Sequence, residues 1–114
     1  MSRESRKGSV WEVAIERDAI GRGYPAHVER KHGAKDQGDI HGIPGVIIEA
    51  KNCARYELPG WVAEADAEAE NAGEPCGVVF VKRKGIGLTH MDRHLCVMTV
   101  GTFYRLYELL GGAE

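Results

Sequence analysis

The chain has only three cysteines in 114 residues, and it has no apolar stretch approaching the roughly eighteen residues that cross a bilayer. Cys53, Cys76 and Cys96 are odd in number, widely spaced and without a CxxC pairing, which argues against a disulfide framework or a zinc knuckle. They are expected to be reduced thiols. The opening segment MSRESRKGSV lacks the apolar core of a secretory signal, so a soluble, cytoplasmic protein with no membrane partner is expected. Internal repeats and low-complexity linkers are absent as well, and the length suits a single domain spanning 1–114. Nor is there an excess of basic charge: the formal charge of -2 disfavours a polyanionic partner on its face.

That average conceals an uneven distribution. Residues 1–35 hold eight Lys or Arg against five Asp or Glu, a net of +3, whereas residues 57–74 hold six acids and no base. Lys82, Arg83 and Lys84 add a short basic cluster. Apolar residues at 43% and charged residues at 28% are ordinary for a globular protein. Residues 1–8 read as a flexible basic tail. Trp11, Ile15 and Ala19 recur every four residues and predict a helix from Ser9 to Gly21, with Ser9 as its N-cap. Tyr24 to Glu29 predicts a strand, Lys31 to Gln37 a basic loop, and Asp39 to His41 a second strand. Gly42 to Gly45 carries turn chemistry, and Val46 to Lys51 is a β-branched strand leaving it, so the two make a hairpin. An alanine-rich helix over Leu58 to Ala72, strands over Gly77 to Val81 and Leu95 to Val100, and a helix over Thr102 to Leu110 complete an α/β chain with a mixed central sheet flanked by helices.

The chemistry gathers on the hairpin. Alternate side chains of a strand share a face, so Glu49 and Lys51 project together while Val46, Ile48 and Ala50 face the other layer. A turn about Pro44 brings Asp39 opposite Glu49, setting two carboxylates and an ammonium around one small space. Adjacent carboxylates repel, and a hard divalent cation with oxygen ligands relieves that repulsion while holding a phosphate. Lys51 would then orient water or stabilise charge on phosphoryl oxygens. From the residues alone, Asp39 also fits a plain turn position and Glu49 with Lys51 a solvated pair.

Gly38-Asp39-Ile40, followed ten residues after its aspartate by Glu49-Ala50-Lys51, resembles the signature of the PD-(D/E)xK nuclease superfamily, with Gly38 in place of the usual proline. A glycine there is expected to loosen the strand entering Asp39. Upstream, Gly8, Glu12 and Gly23-Tyr24 are similar in spacing to archaeal-type Holliday junction resolvases, and the small size is similar to that of phage-encoded members. The likeness spans residues 8–81, about two-thirds of the chain. It implies a restriction-endonuclease-like core and a Mg²⁺-dependent endodeoxyribonuclease, with Mn²⁺ as a substitute, that cuts four-way DNA junctions as a homodimer. The implied catalytic residues are Asp39, Glu49, Lys51 and Glu12. The implied metal ligands are Asp39, Glu49, Glu12 and the main-chain carbonyl of Ala50. A same-superfamily repair or restriction-type nuclease acting on flaps, ends or duplex DNA would share all of them, and a non-catalytic DNA-binding module is the reading from another class. Ser9-x-x-Glu12 equally fits a capping box, in which Glu12 bonds back to the Ser9 amide.

Arg30 with the 31–37 loop would contact the DNA backbone by the same resemblance. From charge alone, Arg3, Arg6, Lys7, Arg30, Lys31, His32 and Lys35 are the groups expected to neutralise phosphates. Lys82 to Lys84 is a second candidate contact or a polar turn. His90 and His94 are expected to be surface or packing residues and Trp11 and Trp61 core anchors; the resemblance would let Glu64 reach the active site, but Glu68 and Glu70 beside it point to an ordinary solvated helix face.

Overall fold

The computed structural model describes residues 3–29 and 38–112, with side chains from Lys7 onward. The elements in order are α1 (Arg3–Gly21), β1 (His27–Val28), β2 (Ile40–Ile43), β3 (Val46–Lys51), α2 (Leu58–Ala72), β4 (Cys76–Val81), a 3-10 turn (Met91–Arg93), β5 (Leu95–Val97) and α3 (Val100–Leu109). The strands form a single sheet in the order β1-β2-β3-β4-β5. Every pairing is antiparallel except β3 with β4, which runs parallel and is bridged by α2. This is an α/β fold with a mixed five-stranded sheet flanked by helices. Among the described residues no helix is long and apolar enough to cross a membrane.

The helix periodicity and strand alternation carry over to the two faces of this sheet. On one face Trp11, Ile15 and Ala19 of α1 pack on Ala26, Ile40, Ile48 and Val78. The Trp11 ring N–H, which needs an acceptor once buried, donates to the Phe80 carbonyl at 3.1 Å. On the other face Trp61 and Ala65 of α2 pack on Val79 and Val81. Burying each large apolar side chain contributes about 1.5–3 kcal/mol.

Several boundaries differ from those the sequence predicts. Helix α1 begins at Arg3, so residues 3–8 are helical and not a loose tail, and Ser9 sits inside the helix, where it cannot serve as an N-cap. Arg, Glu and Lys are good helix formers, and together they carry the helix through Gly8. Strand β1 is confined to two residues, in keeping with the lack of an N–H on Pro25. Strand β2 continues through Gly42 to Ile43, with a shift of register along the way, which leaves Pro44-Gly45 as the turn. Strand β5 stops at Val97 because Thr99 caps α3, its hydroxyl accepting from the Thr102 N–H at 3.0 Å. Thr102, fully buried, ties α3 to α2 through a hydrogen bond to Asp66 at 3.0 Å.

Helix α2 can lie close on β4 because Gly77 has no side chain: a Cβ there would fall inside the Ala65 carbonyl group, which is backbone and cannot rotate away. Gly77→Ala is therefore expected to lower stability by about 1–3 kcal/mol as α2 is pushed off the sheet. Gly60→Ala, where a Cβ meets nothing, is expected to leave stability equal or higher. Urea unfolding of both variants checks this, and equal midpoints would contradict the close packing.

Candidate active site

Strand β3 sends Ile47, Glu49 and Lys51 to the α2 side of the sheet and Val46, Ile48 and Ala50 to the α1 side, as alternation requires. Asp39, just before β2, is held by three hydrogen bonds. Its N–H donates to the Ile48 carbonyl at 3.1 Å, its carbonyl accepts from the Glu29 N–H at 2.7 Å, and its Oδ2 accepts from the Ala50 N–H at 2.9 Å. The side chain thus stands against Glu49, across the hairpin. Gly38 does not loosen this entry. Its φ of +95° is closed to proline, and a Cβ would fall inside the Ile47 Cγ2 methyl, so the position that departs from the family signature is packed tightly under Asp39.

Helix α2 supplies residues that the motif does not include. Glu68 is 2% exposed and Glu49 is 4% exposed, so neither belongs to a solvated surface. Glu49, Glu64 and Glu68 bring carboxylate oxygens within 4.8 Å of one another. A legible signal lay in the spacing: Trp61, Ala65, Glu68 and Ala69 are the buried residues of α2, and Glu68 falls seven residues after Trp61, on the inward stripe. Glu64, one turn before Glu68, is half exposed and bonds Lys51 Nζ at 2.9 Å.

Lys51 is the cation of this group. Its Nζ lies 3.3 Å from Glu49 and 5.9 Å above the centre of the Trp61 ring, close enough for a cation–π contact. Burial works against the ammonium charge, but the bond to Glu64 and the attraction of both glutamates outweigh it, so Lys51 holds its proton more firmly than a free lysine. Glu49 shifts the other way for an acid. Burial first, then Asp39 and Glu68, push its carboxyl far above the usual carboxylate range. Its Oε1 is buried and has no hydrogen-bond partner among the described residues. Without a cation, this crowding favours the protonated form of Glu49.

Ala50 and Glu12 complete the set. In a paired strand the N–H and carbonyl of one residue project to the same side, and the Ala50 N–H goes to Asp39. Its carbonyl therefore faces the Asp39 side, past the last β2–β3 pair at Ile40 and Ile48. Glu12 is half-buried on α1 and is not part of the carboxylate cluster. Glu16, one turn further on the same flank, accepts from the Val28 N–H at 2.9 Å, while Trp11 bonds Phe80, the partner of Ala50 in the sheet. Glu12 is thus one turn nearer the end of the sheet that carries Asp39. With Ser9 inside the helix, the capping-box role of Glu12 is removed.

Of the residues expected at DNA, Arg30, Lys31, His32 and Lys35 lie outside the described residues, as do the Arg3 and Arg6 side chains. Lys7 is exposed and lines a cleft of about 540 Å³ together with Asn52, Lys82 and Lys84. The basic turn and the start of α1 thus meet beside the end of β3. His94 is a packing residue: its Nδ1 accepts from the Arg83 N–H at 3.0 Å, which leaves Nε2 to donate to the Gly87 carbonyl at 2.9 Å. Its ring packs edge-on against Trp11. Comparison with known protein families, characterised proteins and solved structures gives no match to this chain.

The buried acids make stability depend on pH. Because the folded pKa of Glu49 lies above its unfolded value, the folded state keeps a proton that the unfolded chain has released, and stability falls as pH rises above about 4.3. In EDTA, the melting temperature is expected to drop between pH 5 and 8. Glu49→Gln should flatten that slope and stabilise the protein at pH 8 by about 1–3 kcal/mol. Melting curves across this range check it, and a slope unchanged in the variant would remove Glu49 as its source.

Proposed function

We propose that the chain is a Mg²⁺-dependent endodeoxyribonuclease of the PD-(D/E)xK type with a restriction-endonuclease-like core, acting on branched DNA as a Holliday junction resolvase. The observation that carries this reading is the buried Glu49 carboxylate, with one oxygen unpartnered, set against Asp39 and beside a firmly protonated lysine. Four acids, Asp39, Glu49, Glu64 and Glu68, gather in one cluster with a single ammonium at its edge, an imbalance that a divalent cation would relieve. The hairpin that joins a strand–helix–strand unit also supports the proposed core.

The donors fit a hard cation. Asp39, Glu49 and the Ala50 carbonyl offer oxygen, and no sulfur or imidazole is required. Glu12, from its flank of α1, is the further carboxylate that would join them. When bound, such a cation polarises the scissile phosphate and makes water a stronger nucleophile. Lys51 holds its proton, so its role is to stabilise negative charge on the phosphoryl oxygens and not to act as a general base. Glu64 anchors the ammonium from the outer side.

Lys7, Lys82 and Lys84 give the substrate backbone a path beside Asn52, immediately after Lys51. Contacts of this kind read phosphates and not bases, as suits an enzyme selecting for DNA shape. Cutting both strands of a junction calls for two sites and hence a homodimer. The exposed apolar face of α3, with Val100, Phe103, Tyr104 and Tyr107 and with Leu110 just beyond, supports such pairing.

Synthetic four-way, flap and linear duplex DNA incubated with Mg²⁺ should be cut only in its presence, with paired symmetrical nicks on the junction. Asp39→Ala or Glu49→Ala should reduce the rate at least about a hundredfold while sparing binding measured in EDTA. Preferential cutting of flaps or duplex would identify a repair or restriction-type enzyme, and metal-dependent cleavage of none of the three would end the nuclease reading. Lys82→Ala with Lys84→Ala should weaken junction binding and lower the salt slope by about one for each phosphate that is no longer neutralised. An unchanged slope would take the DNA elsewhere on the surface.

A further inference from the structure

A second group of ligating side chains lies outside the acidic cluster, on the outermost pair of strands. His27 of β1 and His41 of β2 are direct partners across the antiparallel ladder, so their side chains share a face. Their rings are 5.7 Å apart, centre to centre. Glu29 follows two residues after His27 and so shares that face, its Oε2 lying 3.2 Å from His27 Nε2. One ligand atom from each of the three residues lies within 4.8 Å of the other two.

From this arrangement we propose that His27, Glu29 and His41 bind a divalent transition-metal ion of the zinc class. Two imidazoles and one carboxylate are the donor set that borderline cations select, whereas Mg²⁺ and Ca²⁺ prefer oxygen. Donors held about 2.1 Å from one ion at tetrahedral or octahedral angles lie roughly 3.0–3.4 Å apart. The His27–Glu29 separation already falls in that window. Those two residues also make an ion pair, and His41 sets a second imidazole directly opposite His27 on the ladder. The backbone is set for it: His41 is fixed in β2, and the Glu29 N–H is tied to the Asp39 carbonyl.

The site opens to solvent, with the His27 side chain 57% exposed, so three protein ligands leave coordination positions for water or a substrate oxygen. It also adjoins the acidic cluster through the chain itself, since His41 and Asp39 are two residues apart on one face of the hairpin. A cation held here would add positive charge on the β1 side of Asp39. The assignment stands on the geometry of the three ligands and does not depend on the nuclease reading.

The test is a titration of the untagged, full-length protein with Zn²⁺ by calorimetry, and with Co²⁺ by its visible absorption, in the presence of excess Mg²⁺. About one equivalent should bind, and Mg²⁺ should not displace it. His27→Ala, His41→Ala and Glu29→Gln should each weaken binding at least about tenfold. Glu49→Gln should bind Zn²⁺ as the parent does, which separates this site from the acidic cluster. Circular dichroism melts identify a variant that has lost its fold, and Glu29→Gln, a near-isosteric change at a partly exposed position, keeps the test decisive in that event. Zn²⁺ affinity unchanged in the histidine and Glu29 variants, or lost in Cys53→Ser or Cys96→Ser, would overturn the proposal.

Discussion

Two glutamates are buried under α2 in this protein, and an aspartate of the hairpin is pressed against one of them. Taking ionised carboxylates out of water costs several kcal/mol each, and neighbours of the same sign add to the cost. The fold supports this cluster through rigid backbone on three sides. The Ala50 and Ile48 peptide groups hold Asp39, the parallel β3–β4 ladder holds Glu49, and Gly77 lets α2 bring Glu68 down onto Glu49. Relaxing any one of them would let water in and release the repulsion. The well-packed apolar layers on either side of the sheet supply the stability against which the cluster is maintained.

Lys51 gives the cluster its polarity. It is bonded between Glu49 Oε2 and Glu64 and rests over Trp61, so the positive charge sits on one carboxylate oxygen of Glu49, while the other, Oε1, has no hydrogen-bond partner among the described residues. The division has a chemical logic. An ammonium committed to two carboxylates is a fixed source of field, and the proposed cation would be drawn to the remaining oxygens. Under the proposed nuclease reading, charge developing on a phosphate between them would meet positive groups from two directions. Gly38 belongs to the same design, because its backbone conformation lets the chain turn into Asp39 beneath Ile47 without a side chain in the way.

Much of this was legible in the sequence, and the gaps have physical causes. Alternation along Val46 to Lys51 and the Pro44-Gly45 turn were enough to put Asp39 across from Glu49, since a period of two and a short turn leave little freedom. The order of helices and strands followed from apolar spacing. Glu68 was missed because composition outweighed position: three glutamates within seven residues of an alanine-rich helix suggest a wet surface, although one of them occupies the inward stripe. The start of α1 was missed because Ser9 is a good capping residue whose local preference was overruled by the helix-forming residues before it. Gly38 was read as a weakness because a glycine in sequence carries no sign of which backbone region it will occupy. The convergence of Lys7 with Lys82 and Lys84 joins segments some seventy-five residues apart, and no local pattern reports such a meeting.

Strand β3 lies in the middle of the sheet, with a ladder on each side, and it carries Glu49, Ala50 and Lys51. Amide protons in such a strand exchange with solvent through openings that break both ladders, which here amount to unfolding of the whole sheet. The proposed active-site residues are thus mounted on a central strand, whose opening is expected to be slow, and not on a loop. A ligand gripped there raises the free energy of that global opening in step with its own binding. Its occupancy would therefore be registered as slowed deuterium uptake in β2 and β4 as well as β3, well beyond the residues it touches.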